Sequence, residues 1–268
     1  MSISVTRTDD ASIAAQIMAQ DPRAYILGGG TGLMRRIHEG DQNVRHLIRL
    51  NSQELVKIIK LGTAIRIGSQ VTMAQILADK SMQVLHKTAA SVGAPALRNM
   101  ATVGGNLFSR PPYGDLTTAL LALEAQVFFM NGNREDKQAL NQFLQRSGKR
   151  QLVLALEIPN QANMNFSYKK MTRSHPRGAS VVTLACTFSQ SAGRISKASI
   201  AFGGLAGRPF RASVVERSLI GNLTDASIET ACVKLKNEVN PFTDSLASGW
   251  YRMEMAQLLL RQTLMDIL

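Results

Sequence analysis

A short apolar strand, Ala24 to Leu27, runs into Gly28-Gly29-Gly30-Thr31-Gly32 and then into a helical stretch from Leu33 to about Glu39. Four glycines in five positions between a strand and a helix constrain the fold more than any other feature of this sequence. Glycine admits backbone angles and close approaches that a Cβ forbids. Such a turn lets backbone N–H groups converge on a phosphate. It is not a Walker loop, because no Gly-Lys-Ser/Thr follows, and Leu33 occupies the last glycine position of a G-x-G-x-x-G frame. Taken alone, the segment suits a tight turn as well as it suits a phosphate cradle.

A second compact segment, Ala101-Thr102-Val103-Gly104-Gly105-Asn106-Leu107, reads as another glycine-bearing loop with a hydroxyl and an amide near its ends. Asp115 follows and opens an apolar helix over Leu116 to Leu123. That carboxylate has two readings: an N-cap, or an acceptor for ribityl or ribose hydroxyls. Two glycine segments about seventy residues apart suit a long, bent ligand with two phosphates better than a mononucleotide.

The rest of the pattern is α+β. Helices are predicted at Ala11 to Ala19 and Met82 to Ser91, and from the Thr72-Met73-Ala74-Gln75 capping box to about Ala78. Val44 to Leu50, Val56 to Ile59, Ile65 to Ser69, Gln126 to Asn131 and Leu152 to Ile158 read as strands. The polar, turn-rich stretch Gln161 to Asn165 is the best candidate for a domain boundary. Beyond it, Ser167 to Thr172, Val181 to Ser189 and Ser196 to Phe202 alternate like half-buried antiparallel strands. Helices follow at Ala212 to Leu219 and Ala226 to Lys236, the latter with Thr224 or Asp225 as cap. Met253, Ala256, Leu260 and Leu264 share one face of a closing helix over Ser248 to Leu264, and Trp250 reads as part of its packing.

Composition narrows the function. Hydrophobic residues make up 45% and charged residues 19% of 268, ordinary for a globular chain, and no apolar run is long enough to span a membrane. The N-terminus turns acidic where an export signal would be apolar. Cys186 and Cys232 are the only cysteines, which excludes a disulfide scaffold, a four-cysteine zinc site and any iron–sulfur cluster held by this chain alone. His38, His46, His86 and His175 show no ligand spacing, so no metal site is expected. A reducing cytoplasm fits best. The formal charge of +12 raises nucleic acid as a partner, but the basic residues are scattered. Only Arg146, Lys149 and Arg150, and Lys169, Lys170, Arg173 and Arg177, are locally dense, with no interleaved aromatics beyond Tyr168.

The glycine segments carry a family resemblance. Gly28 to Leu33 resembles the glycine-rich loop of the FAD-binding medium subunit of molybdenum hydroxylases, the group that includes xanthine and carbon monoxide dehydrogenases. The likeness continues through His46-Leu47-Ile48, Ile65 to Gly68 with Val71-Thr72, and Val92-Gly93 to Arg98-Asn99. It is strongest at Ala101 to Leu107 with Gly114-Asp115-Leu116, and it extends through Leu154 to Pro159, Tyr168-Lys169, Ala201 to Gly204 and the final helix. The fold so implied is a two-lobed FAD-binding domain over 1–160, with lobes of about 1–52 and 53–160, and a C-terminal α+β domain with an antiparallel sheet over 165–268.

By the resemblance, Leu27, Gly28, Gly29, Gly30, Thr31, Gly32 and Leu33 would hold the FAD pyrophosphate from one side. Thr102, Val103, Gly104, Gly105 and Asn106 would hold it from the other. Asp115 would contact the ribityl or nucleotide portion, Val153 or Leu154 would line the pocket, and Tyr168 and Lys169 would approach the isoalloxazine, where a cation favours the reduced flavin. No acid/base catalytic pair is visible. The chain would pass electrons from a 2Fe–2S subunit, fed by a molybdopterin subunit, through FAD to NAD, a quinone or oxygen. A charge of +12 suits docking onto acidic partners, for which assembly should be salt-sensitive. Two departures from the family pattern stand out: Gly32 replaces a polar residue, and Arg110-Pro111-Pro112-Tyr113 replaces small residues. They make one other reading conceivable, a basic scaffold or nucleic-acid-binding protein that has lost FAD; a stand-alone flavin oxidoreductase of the same fold also stays open.

Overall fold

The computed structural model describes residues 2–110, 113–145, 151–160, 165–174 and 178–268. Arg146, Lys149, Arg150, Arg177, His175, the Pro111-Pro112 pair and residues 161–164 of the expected boundary lie outside the described residues. The fold is α+β throughout, and packing divides it into two compact units whose segments interleave along the chain.

The first unit holds Met1–Ser81, Ala94–Phe108 and Ala125–Asn160; the second holds Met82–Gly93, Ser109–Glu124 and Gln161–Leu268. The first opens with β1 (Ser4–Thr8), α1 (Ala11–Gln20), β2 (Ala24–Ile26), α2 (Leu33–His38) and β3 (His46–Leu50), then β4 (Ile58–Leu61), β5 (Ala64–Gly68) and α3 (Met73–Ala78). The chain then supplies α4 (Gln83–Ser91) to the second unit, and α5 (Pro95–Arg98) and α6 (Val103–Leu107) to the first. Next come α7 (Asp115–Ala122) in the second, and β6 (Gln126–Asn131), β7 (Arg134–Ala139), α8 (Leu140–Gln145) and β8 (Val153–Pro159) in the first. The remainder belongs to the second unit. Its strands are β9 (Asn165–Thr172), β10 (Ser180–Ser191), β11 (Arg194–Gly203), β12 (Phe210–Arg211) and β13 (Gly221–Asn222), and its helices are α9 (Ser213–Ser218), α10 (Asp225–Glu238) and α11 (Gly249–Met265).

In the first unit, β1, β3 and β2 form a parallel sheet in that order, so the opening fifty residues are a βαβαβ segment. Its apolar side packs α1 through Ala14 onto Ala24, Ile48 and Leu50. A second, antiparallel sheet runs β4-β5-β8-β6-β7. Thr72 caps α3 with the expected box, its side chain accepting from Gln75 N and its amide donating to the Gln75 side chain. The sequence reading omits β1 and β7. SVTRT and REDKQA carry little apolar signal, and each is held by its neighbour: β1 by β3, and β7 by a hairpin with β6 turning on Gly132.

In the second unit, β12-β11-β10-β9 is antiparallel, with β13 added to β11. One face carries Val182, Leu184, Cys186 and Phe188 into a core with Ile228, Leu235, Ala256, Leu260 and Leu264. The other meets α7, where Thr183 bonds Thr118 at 3.2 Å and Thr187 donates to the Ala122 carbonyl at 3.0 Å. Trp250 is a correction: it stands 72% exposed at the start of α11, whose buried row runs Gly249, Arg252, Met253, Ala256, Leu259 and Leu260. Residue 250 follows the buried Gly249 by one position, about 100° further round the helix, and so points away from that row. Asp115 is a second correction, because the residue that caps α7 is Gly114 in the left-handed region.

Candidate functional site

The two glycine segments meet in the first unit. A Cβ built on Gly29 would lie 1.5 Å from the Met100 carbonyl oxygen, and one on Gly28 would lie 2.9 Å from Thr102 Oγ1. Only glycine lets these backbones approach so closely. Gly30 has φ +72°, a left-handed conformation that turns the chain out of β2 and into α2.

The backbone of the first segment is open. Leu27 still belongs to the sheet, its N–H donating to Ile48 O at 2.8 Å. After it, no acceptor among the described residues takes the N–H of Gly28, Gly29, Gly30, Thr31 or Gly32. The helical ladder resumes with Met34 N to Gly30 O at 2.8 Å, and Leu33 opens α2. Five consecutive donors on a partly exposed turn are left to solvent or a ligand, and runs of such backbone N–H groups are what anions bind.

The second segment is different in kind: it is the short helix α6 rather than a loop, with Thr102 as its N-cap. Its amides are spent. Val103 N donates to Val71 O at 2.9 Å, Gly104 N to Ser69 O at 2.7 Å, and Asn106 N to Thr102 O at 3.0 Å. Gly105 N donates to Thr102 Oγ1 at 3.2 Å. What this segment can still offer a ligand from its side chains is the Thr102 hydroxyl proton. Val153, also in this unit, is buried at the start of β8 opposite Phe129, while Leu154 packs on the Ile48–Leu50 cluster.

Asp115, Tyr168 and Lys169 belong to the second unit. Asp115 is buried, with Ser180 Oγ donating to Oδ1 at 2.6 Å and Lys170 Nζ to Oδ2 at 2.7 Å. Lys170 also donates to the Ser91 carbonyl at 2.9 Å. The Ser91 hydroxyl donates to Thr88 O and therefore accepts from the buried Tyr168 phenol at 3.0 Å. Burial and, second, the charge of Asp115 push the Tyr168 phenol well above the usual tyrosine range, so it is neutral at physiological pH.

Lys169 is not part of this network. It stands opposite Leu184 in the ladder, on the other face of β9, and pairs with Asp266 at 2.7 Å. Lys170 is the cation the sequence reading passes over. The period of two in a strand puts residues 168 and 170 on one face, and that signal, read from Tyr168, points to Lys170. A lysine paired with a carboxylate and nearly out of solvent is a preorganised charge, unlike one on the rim.

A glycine turn with open amides on a βαβαβ segment is a feature shared by many nucleotide-cofactor-binding proteins. The comparisons name the family. The chain belongs to the family described as the FAD binding domain in molybdopterin dehydrogenase, whose model matches residues 1–161, and residues 166–267 match the CO dehydrogenase flavoprotein C-terminal domain. It is similar to the glyceraldehyde dehydrogenase medium chain of Sulfolobus acidocaldarius, at 25% identity over 98% of each chain. The xanthine dehydrogenase FAD-binding subunit of Escherichia coli O157:H7 is 24% identical over 94% of this chain and 91% of its own length. Among solved structures, CO dehydrogenase from Oligotropha carboxidovorans shares the fold with a TM-score of 0.89 at 22% identity, covering 98% of this chain and 96% of that one. Quinoline 2-oxidoreductase from Pseudomonas putida 86 does so with a TM-score of 0.86 at 22% identity, over 99% and 96%. The chain is thus an oxidoreductase subunit of the molybdenum hydroxylase type, with FAD as its cofactor. Among the described residues, no helix is long and apolar enough to cross a membrane.

Proposed function

We propose that Gly28 to Gly32 hold the FAD pyrophosphate and that the chain relays electrons from a 2Fe–2S subunit to an external acceptor: NAD, a quinone or oxygen. The observation that carries the cofactor assignment is the row of five free amides over residues 28–32. It fits a pyrophosphate because each N–H is already oriented by the strand before it and the helix after it. Leu27 and Leu33 fix the two ends of that row. Val103, Gly104 and Gly105 form the wall against which it packs, Thr102 adds its hydroxyl proton, and Asn106 belongs to the site by the family resemblance.

FAD, when bound, supplies the chemistry that accepts and releases electrons. Asp115 takes up ribityl or ribose hydroxyls, and Val153 closes an apolar flank. In the Tyr168-Lys169-Lys170 run, Tyr168 acts as a neutral buried ring, and Asp115 and the Ser91 carbonyl fix the Lys170 ammonium. Lys169, by the family resemblance a second cation near the isoalloxazine, is tied to Asp266. The two family models, ending at 161 and beginning at 166, support a cofactor-binding domain over 1–160 and a C-terminal domain over 165–268. Partner chains carry the 2Fe–2S and molybdopterin centres, since this chain has only two cysteines. Both are free and buried, in keeping with a reducing cytoplasm.

The test is a visible absorbance spectrum of the purified chain, with added FAD if none is retained, and identification of the cofactor released by denaturation. Near one equivalent of FAD is expected. Failure to take up FAD even on addition would sink the assignment and favour the scaffold reading.

A further inference from the structure

Helix α11 is apolar on two sides. Its inner row packs into the core of the second unit. Its outer side carries Tyr251, Leu258 and Met265, exposed to 39%, 39% and 51%, with Trp250 beside them. A spacing of seven keeps these three residues in one line along the helix, drifting by only about 20° per step. A helix that is apolar all round belongs in an interior, not on a surface. The patch continues onto α10. There Glu229 holds Arg261 of α11, and Val233, one turn further along the same face of α10, is exposed as well.

The charges within the stripe say what covers it. Glu254 and Arg261 stand between the apolar positions, four residues before Leu258 and three after it. Glu254 has no ion pair among the described residues. Arg261 holds Glu229, but a guanidinium has five N–H groups, and one carboxylate does not exhaust them. Laying a second α11 antiparallel across the first, with Leu258 on a two-fold axis, makes every contact occur twice. Leu258 meets its own copy, Tyr251 of each protomer meets Met265 of the other, and Glu254 of each meets Arg261 of the other. The stripe is therefore complementary to itself in shape and in charge, as a two-fold interface requires. An aromatic ring against a methionine sulfur is itself a favourable contact.

We propose that the outer face of α11 docks a second copy of this chain, as an antiparallel helix pair centred on Leu258. The inference is independent of the FAD reading. The 17 residues of α11 span about 25 Å. One such helix pair, flanked by Val233, lies at the small end of specific interfaces, so the dimer should form reversibly, with a Kd on the order of 10 μM.

The test is analytical ultracentrifugation of the full chain from about 1 to about 100 μM, a range that brackets the expected Kd, with thermal stability read in parallel. The wild-type mass should rise from monomer to dimer across that range. Leu258→Glu sets two carboxylates against each other on the axis and should stay monomeric throughout, with stability unchanged because the position is exposed. Glu254→Arg and Arg261→Glu should each weaken association about tenfold. Mixing those two variants should restore it, because every 254–261 contact then joins opposite charges. Arg261→Glu also gives up the exposed pair with Glu229, a small loss in stability. A wild-type chain that is monomeric at the highest concentration, a dimer indifferent to Leu258→Glu, or a mixture that fails to recover would overturn the inference. So would a monomer whose α11 amides gain protection only when an iron–sulfur or molybdopterin subunit is added, which would assign the face to that partner. A chain that dimerises yet takes up no FAD would sink the cofactor assignment and leave this inference standing.

Discussion

Two glycine segments pack against each other in the first unit, yet they use their backbones in opposite ways. Residues 28–32 leave five amides without an acceptor among the described residues, whereas residues 103–106 give every amide to Val71, Ser69 or Thr102. Glycine does a different job in each. In the first it opens a turn through a positive φ at Gly30, while in the second it lets α6 sit against Ser69. Similar composition therefore conceals a binding element and the wall that supports it. What separates them is where the hydrogen bonds go.

This contrast is open to breaking by substitution. Gly29→Ala should have the largest effect, because its Cβ would meet backbone, the Met100 carbonyl oxygen, at 1.5 Å. A loss of more than about 4 kcal/mol is expected by denaturant unfolding, with FAD retention abolished. Near-native stability would show that the segments do not pack as described. Gly104→Ala should cost about 2 kcal/mol, since the added methyl meets Ser69 Cβ at 2.9 Å and Ser69 O at 3.0 Å. The folded fraction should still bind FAD; a large loss of affinity at unchanged stability would place ligand contacts on α6 amides.

Smaller effects sharpen the same division. Thr102→Ala removes the cap of α6, where Oγ1 accepts from Gly105 N, and should lower stability by about 1 kcal/mol. Any additional drop in FAD affinity, measured by titration, would report the hydroxyl proton's own contact with the ligand. Gly32→Ala should be nearly silent. No atom lies within 4 Å of its Cβ, and its φ of −92° suits any residue. Stability should change by less than about 0.5 kcal/mol, and the retained amide should keep FAD affinity within about threefold. If FAD binding were lost in this variant while folding stayed normal, the turn would be reading more than backbone.

Much of the fold was legible because its elements carry their own signals. The Thr72–Gln75 capping box forms, and Met253, Ala256, Leu260 and Leu264 line the buried stripe of α11. Elements stabilised by neighbours were not legible. β1 and β7 are polar strands that exist by pairing, and α6 hides behind two glycines, its helix held by bonds to Ser69 and Val71. Part of the candidate site was legible too: both glycine segments and Asp115 carry the family pattern. That Lys170, and not Lys169, shares a face with Tyr168 and pairs with Asp115 was within reach of strand alternation. The orientation of Ser180 toward Asp115 was not, since nothing in Ala179-Ser180-Val181-Val182 announces the register shift of β10 against β9.

The central claim is that residues 28–32 bind the ligand with amides the protein leaves unpaired. Amide hydrogen exchange with and without FAD tests it most directly. Residues 28–32 should exchange rapidly in the flavin-free chain and become protected on FAD binding, while residues 103–106 stay protected in both states. Unchanged exchange at 28–32 when FAD binds, or protection gained only at 103–106, would contradict the account.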